Sequence, residues 1–131
     1  MSETDFAAVI VDATTLRVTR AGELDSRHRG ATKPLLLVSD SAALSQLRDA
    51  LAIDHESLTR QTVLMTPGVL DLHFFRGHDL RATVAYMPPE IVRWTGWRFD
   101  ARLREPEQLM KWLTDRGWSG NDAEFTPRSS L

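Results

Sequence analysis

The chain of 131 residues contains no cysteine. Disulfide staples, zinc–thiolate centres and cysteine nucleophiles are therefore excluded. Lysine is almost as scarce. Only Lys33 and Lys111 occur, and the other 14 of the 16 basic residues are arginine. The plainer reading of that bias is the coding preference of a GC-rich genome. The functional reading is a surface rich in planar, bidentate donors for carboxylate or phosphate. No stretch concentrates basic residues, and the net charge is -2 with a pI of about 6.1. A general nucleic-acid binder needs a positive surface to displace counterions, so nucleic acid is a disfavoured partner.

Long apolar runs are missing too. Pro34–Val38 is far shorter than the roughly 20 residues of a membrane-spanning helix. The opening Met1-Ser2-Glu3-Thr4-Asp5 is acidic and polar, unlike the basic start of a signal peptide. The cytoplasm is the expected compartment, with no membrane partner. Several catalytic signatures are also absent: the glycine-rich phosphate loops, the G-x-S-x-G elbow and H-E-x-x-H. No cofactor and no metal are expected.

What is present is enough for one core. Apolar residues make up 42% and charged residues 26% of the chain, and the length suits one domain. That domain is expected over residues 1–118, with a loose polar tail over 119–131.

Periodicity supplies the elements. Phe6–Val11, with β-branched Val9, Ile10 and Val11, reads as a buried strand. Leu16–Arg20 alternates and reads as a second strand. Gly22–Thr32 is a polar loop, and Pro34–Val38 is a short apolar strand. Ser39-Asp40-Ser41 offers helix N-caps. Leu44, Leu47 and Leu51 then mark one face of a helix over Ala42–Ala52. His55–Arg60 is a polar connection.

Val69–Phe75 and Leu80–Tyr86 form the clearest pattern. Leu70, Leu72 and Phe74 alternate with Asp71 and His73. Leu80, Ala82, Val84 and Tyr86 alternate with Arg81 and Thr83. A two-residue turn at Gly77-His78 would set Phe74 against Arg81, mixing core with solvent. A three-residue loop, Arg76-Gly77-His78, pairs Phe74 with Leu80, Leu72 with Ala82 and Leu70 with Val84, and is the preferred register. It sets Asp71 opposite Thr83 and His73 opposite Arg81. Further strands are read over Glu90–Thr95 and Trp97–Leu103. Pro106 opens a second helix carrying Leu109, Met110 and Leu113, and Gly117 closes it. The fold expected is α+β: an antiparallel β-sheet of five to seven strands with two helices packed on one face.

Each candidate site has a plainer counterpart. Asp71 and His73 share a strand face, and an aspartate can orient an imidazole for general-base work. They are the catalytic candidates, although no third partner or nucleophile accompanies them; the preferred, plainer reading is two ordinary polar residues on a solvated face. His73 with His78, joined by Asp71 or Asp79, matches no strong metal motif. His28 and His55 sit in polar connections. Asp71, His73, Arg81, Thr83, Arg98, Asp100 and Arg102 share one sheet surface if the pairing holds. That surface recognises a charged partner, or else holds ordinary cross-strand charge pairs. Four tryptophans are many for this length. Trp97 and Trp112 are read as core, and Trp94 and Trp118 as binding candidates beside Arg81, Arg98 and Arg102.

The stretch Ile91-Val92-Arg93-Trp94, followed by Trp97, Asp100, Leu103, Leu109, Trp112-Leu113 and Gly117, resembles the C-terminal half of short uncharacterised proteins of high-GC bacteria. The resemblance covers residues 69–117. It implies an α+β fold and brings no activity, cofactor or site residue.

Two function classes follow. The leading expectation is a small non-enzymatic protein-interaction domain, an accessory, regulatory or immunity-like factor whose partner is another protein or a second copy of itself. The alternative is a small enzyme or ligand-binding domain with a polar site at Asp71, His73 and Arg81. An exposed strand edge offers a route to a homodimer.

Overall fold

Residues 4–20, 35–54, 68–94 and 100–120 are described by the computed structural model. Their order is α1 (Thr4–Ile10), β1 (Thr15–Arg20), β2 (Leu36–Val38), α2 (Ser41–Ala50), β3 (Ile53–Asp54), β4 (Leu70–Arg76), β5 (Asp79–Met87), β6 (Ile91–Trp94), β7 (Ala101–Leu103) and α3 (Pro106–Thr114). The strands form one sheet, β2-β1-β4-β5-β6-β7-β3, in which every neighbouring pair is antiparallel. The expected α+β architecture holds, with three described helices in place of two.

Alternation assigns the two faces. Leu16 and Val18 of β1, Leu70, Leu72 and Phe74 of β4, and Val84 and Tyr86 of β5 are sealed from solvent at 0–1% exposure. They share one core with Leu44 and Leu47 of α2, Leu109, Trp112 and Leu113 of α3, and Phe6 and Ile10 of α1. Each such side chain contributes about 1.5–3 kcal/mol by leaving water. The three described helices thus lie on one side of the sheet. The alternate residues, including Arg17, Thr19, Asp71, His73 and Thr83, face the other way.

The first element corrects the sequence reading. Phe6–Val11 was expected as a strand, yet α1 runs through Ile10 and Val11 lies 61% exposed just beyond it. Phe6 and Ile10 are four apart and both buried, which is helical spacing. The β-branched run Val9-Ile10-Val11 suggests extension only if the i, i+4 pair is overlooked. Phe6 meets Trp94 with ring centroids 5.2 Å apart, which anchors the helix over β6.

The hairpin register also differs from expectation. The turn is the two-residue Gly77-His78, with Gly77 at φ 61. Arg76 pairs with Asp79 and Phe75 with Leu80. The register then shifts between Phe75 and Phe74, so that Phe74 pairs with Ala82, Leu72 with Val84 and Leu70 with Tyr86. Arg81 is the extra residue of this bulge. A tight turn and an apolar core face conflicted over the simple ladder. One inserted residue reconciles them by flipping the parity of β5 beyond the turn. Leu80, expected in the core, is consequently 47% exposed.

Both helix predictions near the core find their caps. Asp40 accepts a 2.8 Å hydrogen bond from the Ala43 amide and opens α2. Pro106 starts α3. Gly117 at φ 109 lets the Trp118 amide return to the Leu113 carbonyl at 3.1 Å. The Trp112 indole donates to the Ala43 carbonyl at 3.0 Å, tying α3 to α2. β3 was not foreseen. Of the strand expected over Trp97–Leu103, 97–99 lie outside the described residues while Ala101–Leu103 forms β7; 121–131 of the expected tail also lie outside the described residues. No described helix is long and apolar enough to cross a membrane.

The cap yields a direct expectation. Asp40→Ala leaves the Ala43 amide without its acceptor and lowers stability by about 1 kcal/mol. Urea unfolding should show a lower midpoint with an unchanged slope. An unaltered midpoint would remove the cap from the forces holding α2.

Candidate functional site

The centre of the sheet face turned away from the described helices is a row across three strands: Arg17 on β1, His73 on β4 and Thr83 on β5. His73 is 2% exposed and Thr19, two residues along β1 from Arg17, is 1% exposed. A buried imidazole needs partners for both ring nitrogens. His73 Nε2 lies 2.9 Å from Thr19 Oγ1, and Nδ1 lies 2.9 Å from Thr83 Oγ1. The Thr19 hydroxyl donates to the Arg20 carbonyl at 3.2 Å. With its single proton so used, Thr19 accepts from Nε2–H, and Thr83 donates to Nδ1. This chain of donors selects the neutral Nε2–H tautomer.

Burial and then the nearby Arg17 charge push the His73 pKa down to about 4. The ring is neutral at pH 7. Both its nitrogens bond threonine hydroxyls, so neither presents a lone pair to a substrate. Asp71 does not bond the ring. It stands opposite Thr19 and Ala85, not opposite Thr83 as expected. Arg81 does not face His73 either. From its place in the bulge its Nε is 3.8 Å from Asp12 Oδ1, while Arg76 donates to Asp12 Oδ2 at 2.9 Å. The structure does not bring Asp71, His73 and Arg81 together as one site.

The remaining sequence candidates disperse. Trp94 and Trp118, read as binding residues, are 8% and 4% exposed. Trp94 packs on Phe6, and Trp118 lies 5.8 Å from Tyr86, so both fill the core as Trp112 does. Arg102 is 3.7 Å from Glu90 in an exposed pair. Arg98, Trp97, His28 and His55 lie outside the described residues. His78 is exposed at the hairpin turn. Among the described residues, no three His, Asp or Glu side chains converge as they must to hold a metal.

Asp100 pairs with a residue that the sequence reading passed over. Arg93 donates through Nε at 2.8 Å and through a terminal nitrogen at 3.0 Å to its two carboxylate oxygens. Asp100 is 3% exposed, and the fork fixes β6 against the chain entering β7. The signal was present in the alternation of Val92 and Trp94 with Ile91 and Arg93, but it needed the β6–β7 pairing to become readable.

Toward the hairpin end the same face opens into a cleft of about 170 Å³, lined by Thr15, Arg17, Leu37, Phe75, Gly77 and His78. Leu37 pairs with Arg17 and is 57% exposed. The Arg17 guanidinium stands 6.0 Å from the Phe75 ring centre. Neither Arg17 nor Leu37 was singled out from the sequence, because what sets them beside Phe75 is the non-local pairing of β1 with β2 and β4.

No protein-family model, no curated protein and no solved structure matches the chain. Function rests on the geometry of this face.

The His73 arrangement makes stability pH-dependent. An unfolded histidine titrates near 6.5 and the folded one near 4, so the unfolded chain takes up the proton first as pH falls. The contribution is complete above about 6.5 and is lost progressively toward 4. Between pH 7 and pH 5 the wild type should lose on the order of 1–2 kcal/mol relative to His73→Gln, which does not titrate. Urea unfolding of both proteins at the two pH values measures that difference. Parallel losses would mean that His73 is not held neutral.

Proposed function

We propose that this chain is a small non-enzymatic protein-interaction domain, and that it engages its partner through the hairpin end of the sheet face turned away from the described helices. The observation that carries the reading is the pairing of a closed His73 with an open neighbour. The His73 imidazole in the middle of the face has both nitrogens committed to Thr19 and Thr83. Beside it, Leu37 at 57% and Leu80 at 47% leave apolar surface in water.

General-base chemistry needs a nitrogen within reach of the proton to be removed. Interaction surfaces need apolar anchors rimmed by polar groups, and arginine is enriched among such anchors. Leu37, Phe75 and Arg17 have that character. Partnering through a strand edge is less favoured. The described edge strands β2 and β3 offer only three and two residues, which limits a continuous ladder. The partner is therefore read as another protein gripping side chains of the face.

Capture from an extract of the producing cell compares three immobilised proteins: wild type, Leu37→Asp, and Ser45→Asp on the exposed side of α2. The expected result is a partner retained by wild type and Ser45→Asp and lost by Leu37→Asp. Equal retention by all three would displace the interaction from this face. A turnover activity abolished by His73→Gln in a stably folded protein would replace the reading with an enzyme.

A further inference from the structure

Among the described residues, two clefts that carry cations differ in how those cations are satisfied. Between α2 and α3, a cleft of about 180 Å³ is lined by Lys111, Asp115 and Arg116 among others. Lys111 pairs with Asp115 at 3.1 Å. Arg116 donates to the Trp112 carbonyl at 3.0 Å and lies 4.0 Å over the Trp112 ring. Its charges are used internally.

The cleft on the sheet face is the opposite case. Arg17 is half-buried, and among the described residues its guanidinium stands over the Phe75 ring without a polar partner. It forms no ion pair and no hydrogen bond there. Among the described residues no carboxylate lines the cleft, whose other polar groups there are the Thr15 hydroxyl and His78. The nearby Asp12 is engaged by Arg76 at 2.9 Å, with Arg81 on its second oxygen at 3.8 Å. Beside Arg17 on β4, His73 has both ring nitrogens bonded to threonine hydroxyls and offers the guanidinium no acceptor. Among the described residues this cation has no carboxylate partner. Its planar fork is made for a carboxylate. The cleft walls add apolar contact from Phe75 and from exposed Leu37. At about 170 Å³, the space is that of roughly five or six waters, enough for one acidic side chain and too small for a cofactor.

We propose that this cleft receives an acidic, extended segment of the partner protein, with one carboxylate on the Arg17 fork and a neighbouring aliphatic side chain on Leu37 and Phe75. The inference rests on the interaction reading above and names the chemistry of the partner. The positive cleft supplies selection by charge, and the apolar wall supplies selection against small free anions.

The test uses full-length protein labelled with ¹⁵N, observed at the Arg17 Nε–Hε resonance. The probes are a short peptide of alternating leucine and glutamate, its glutamine counterpart, and sodium acetate at matched ionic strength. The glutamate peptide should shift the Arg17 signal saturably and bind about tenfold more tightly than the glutamine peptide. Raising salt should weaken it. Arg17→Gln should cost a similar factor, and Arg17→Lys, which keeps charge but loses the fork, should fall between. Acetate that saturates the site as readily as the peptide would overturn the assignment, leaving a simple anion site. No shift of Arg17 with any probe would also overturn it. The two layers separate in the capture experiment. A partner released by Leu37→Asp but not by Arg17→Gln sinks the carboxylate assignment and leaves the interaction reading standing. A partner released by neither sinks the interaction reading, while the peptide titration still reports on the cleft.

Discussion

Three adjacent strands of the sheet are pinned from both sides, and the placement of everything else follows from that double constraint. On the helix side, Leu16, Val18, Leu72, Phe74 and Val84 are sealed in the core. On the other side, His73 spans from Thr19 on β1 to Thr83 on β5 with two bonds of 2.9 Å. A slip of one residue would turn the core set outward and break both imidazole bonds at once. An unsatisfied buried polar group costs about 1–3 kcal/mol, so the polar side enforces the register that the apolar side favours. The Arg93–Asp100 fork plays the same part at the other end of the sheet, between β6 and the entry to β7.

This constraint separates structure from function on one face. His73 is occupied holding strands, and its lowered pKa keeps it neutral. Arg17, directly beside it in the row, has no such task. Its guanidinium and the exposed Leu37 hold no described strand in place, and the proposed recognition chemistry is placed on them.

How much of this could be read from the sequence depended on whether the deciding contact was local. The alternation in β1, β4 and β5 was legible because inward and outward residues differ in polarity along each strand. The Asp40 cap, Pro106 and Gly117 were legible because capping is a local act. The bulge at Arg81 was not, since two acceptable turns competed and only the β4–β5 pairing chose between them. That misplaced register carried Arg81 into an imagined site with Asp71 and His73. The helix α1 was lost because a β-branched run outweighed the Phe6–Ile10 spacing. Trp94 and Trp118 drifted to the surface in the sequence reading because the partners that bury them, Phe6 and Tyr86, are distant in the chain. Arg17 stayed invisible for the same reason.

The central claim is that His73 is a neutral strut and not a proton carrier. The most direct test is the pair of ¹⁵N chemical shifts of its ring, followed from pH 8 to pH 4. The account predicts one protonated and one unprotonated nitrogen, assigned as Nε2–H and bare Nδ1, unchanged through pH 6 and titrating only near 4. Averaged shifts from two exchanging tautomers, or a midpoint near the free-histidine value of about 6.5, would contradict it. The ring would then be open to water, and the face around it would again be a place for proton chemistry.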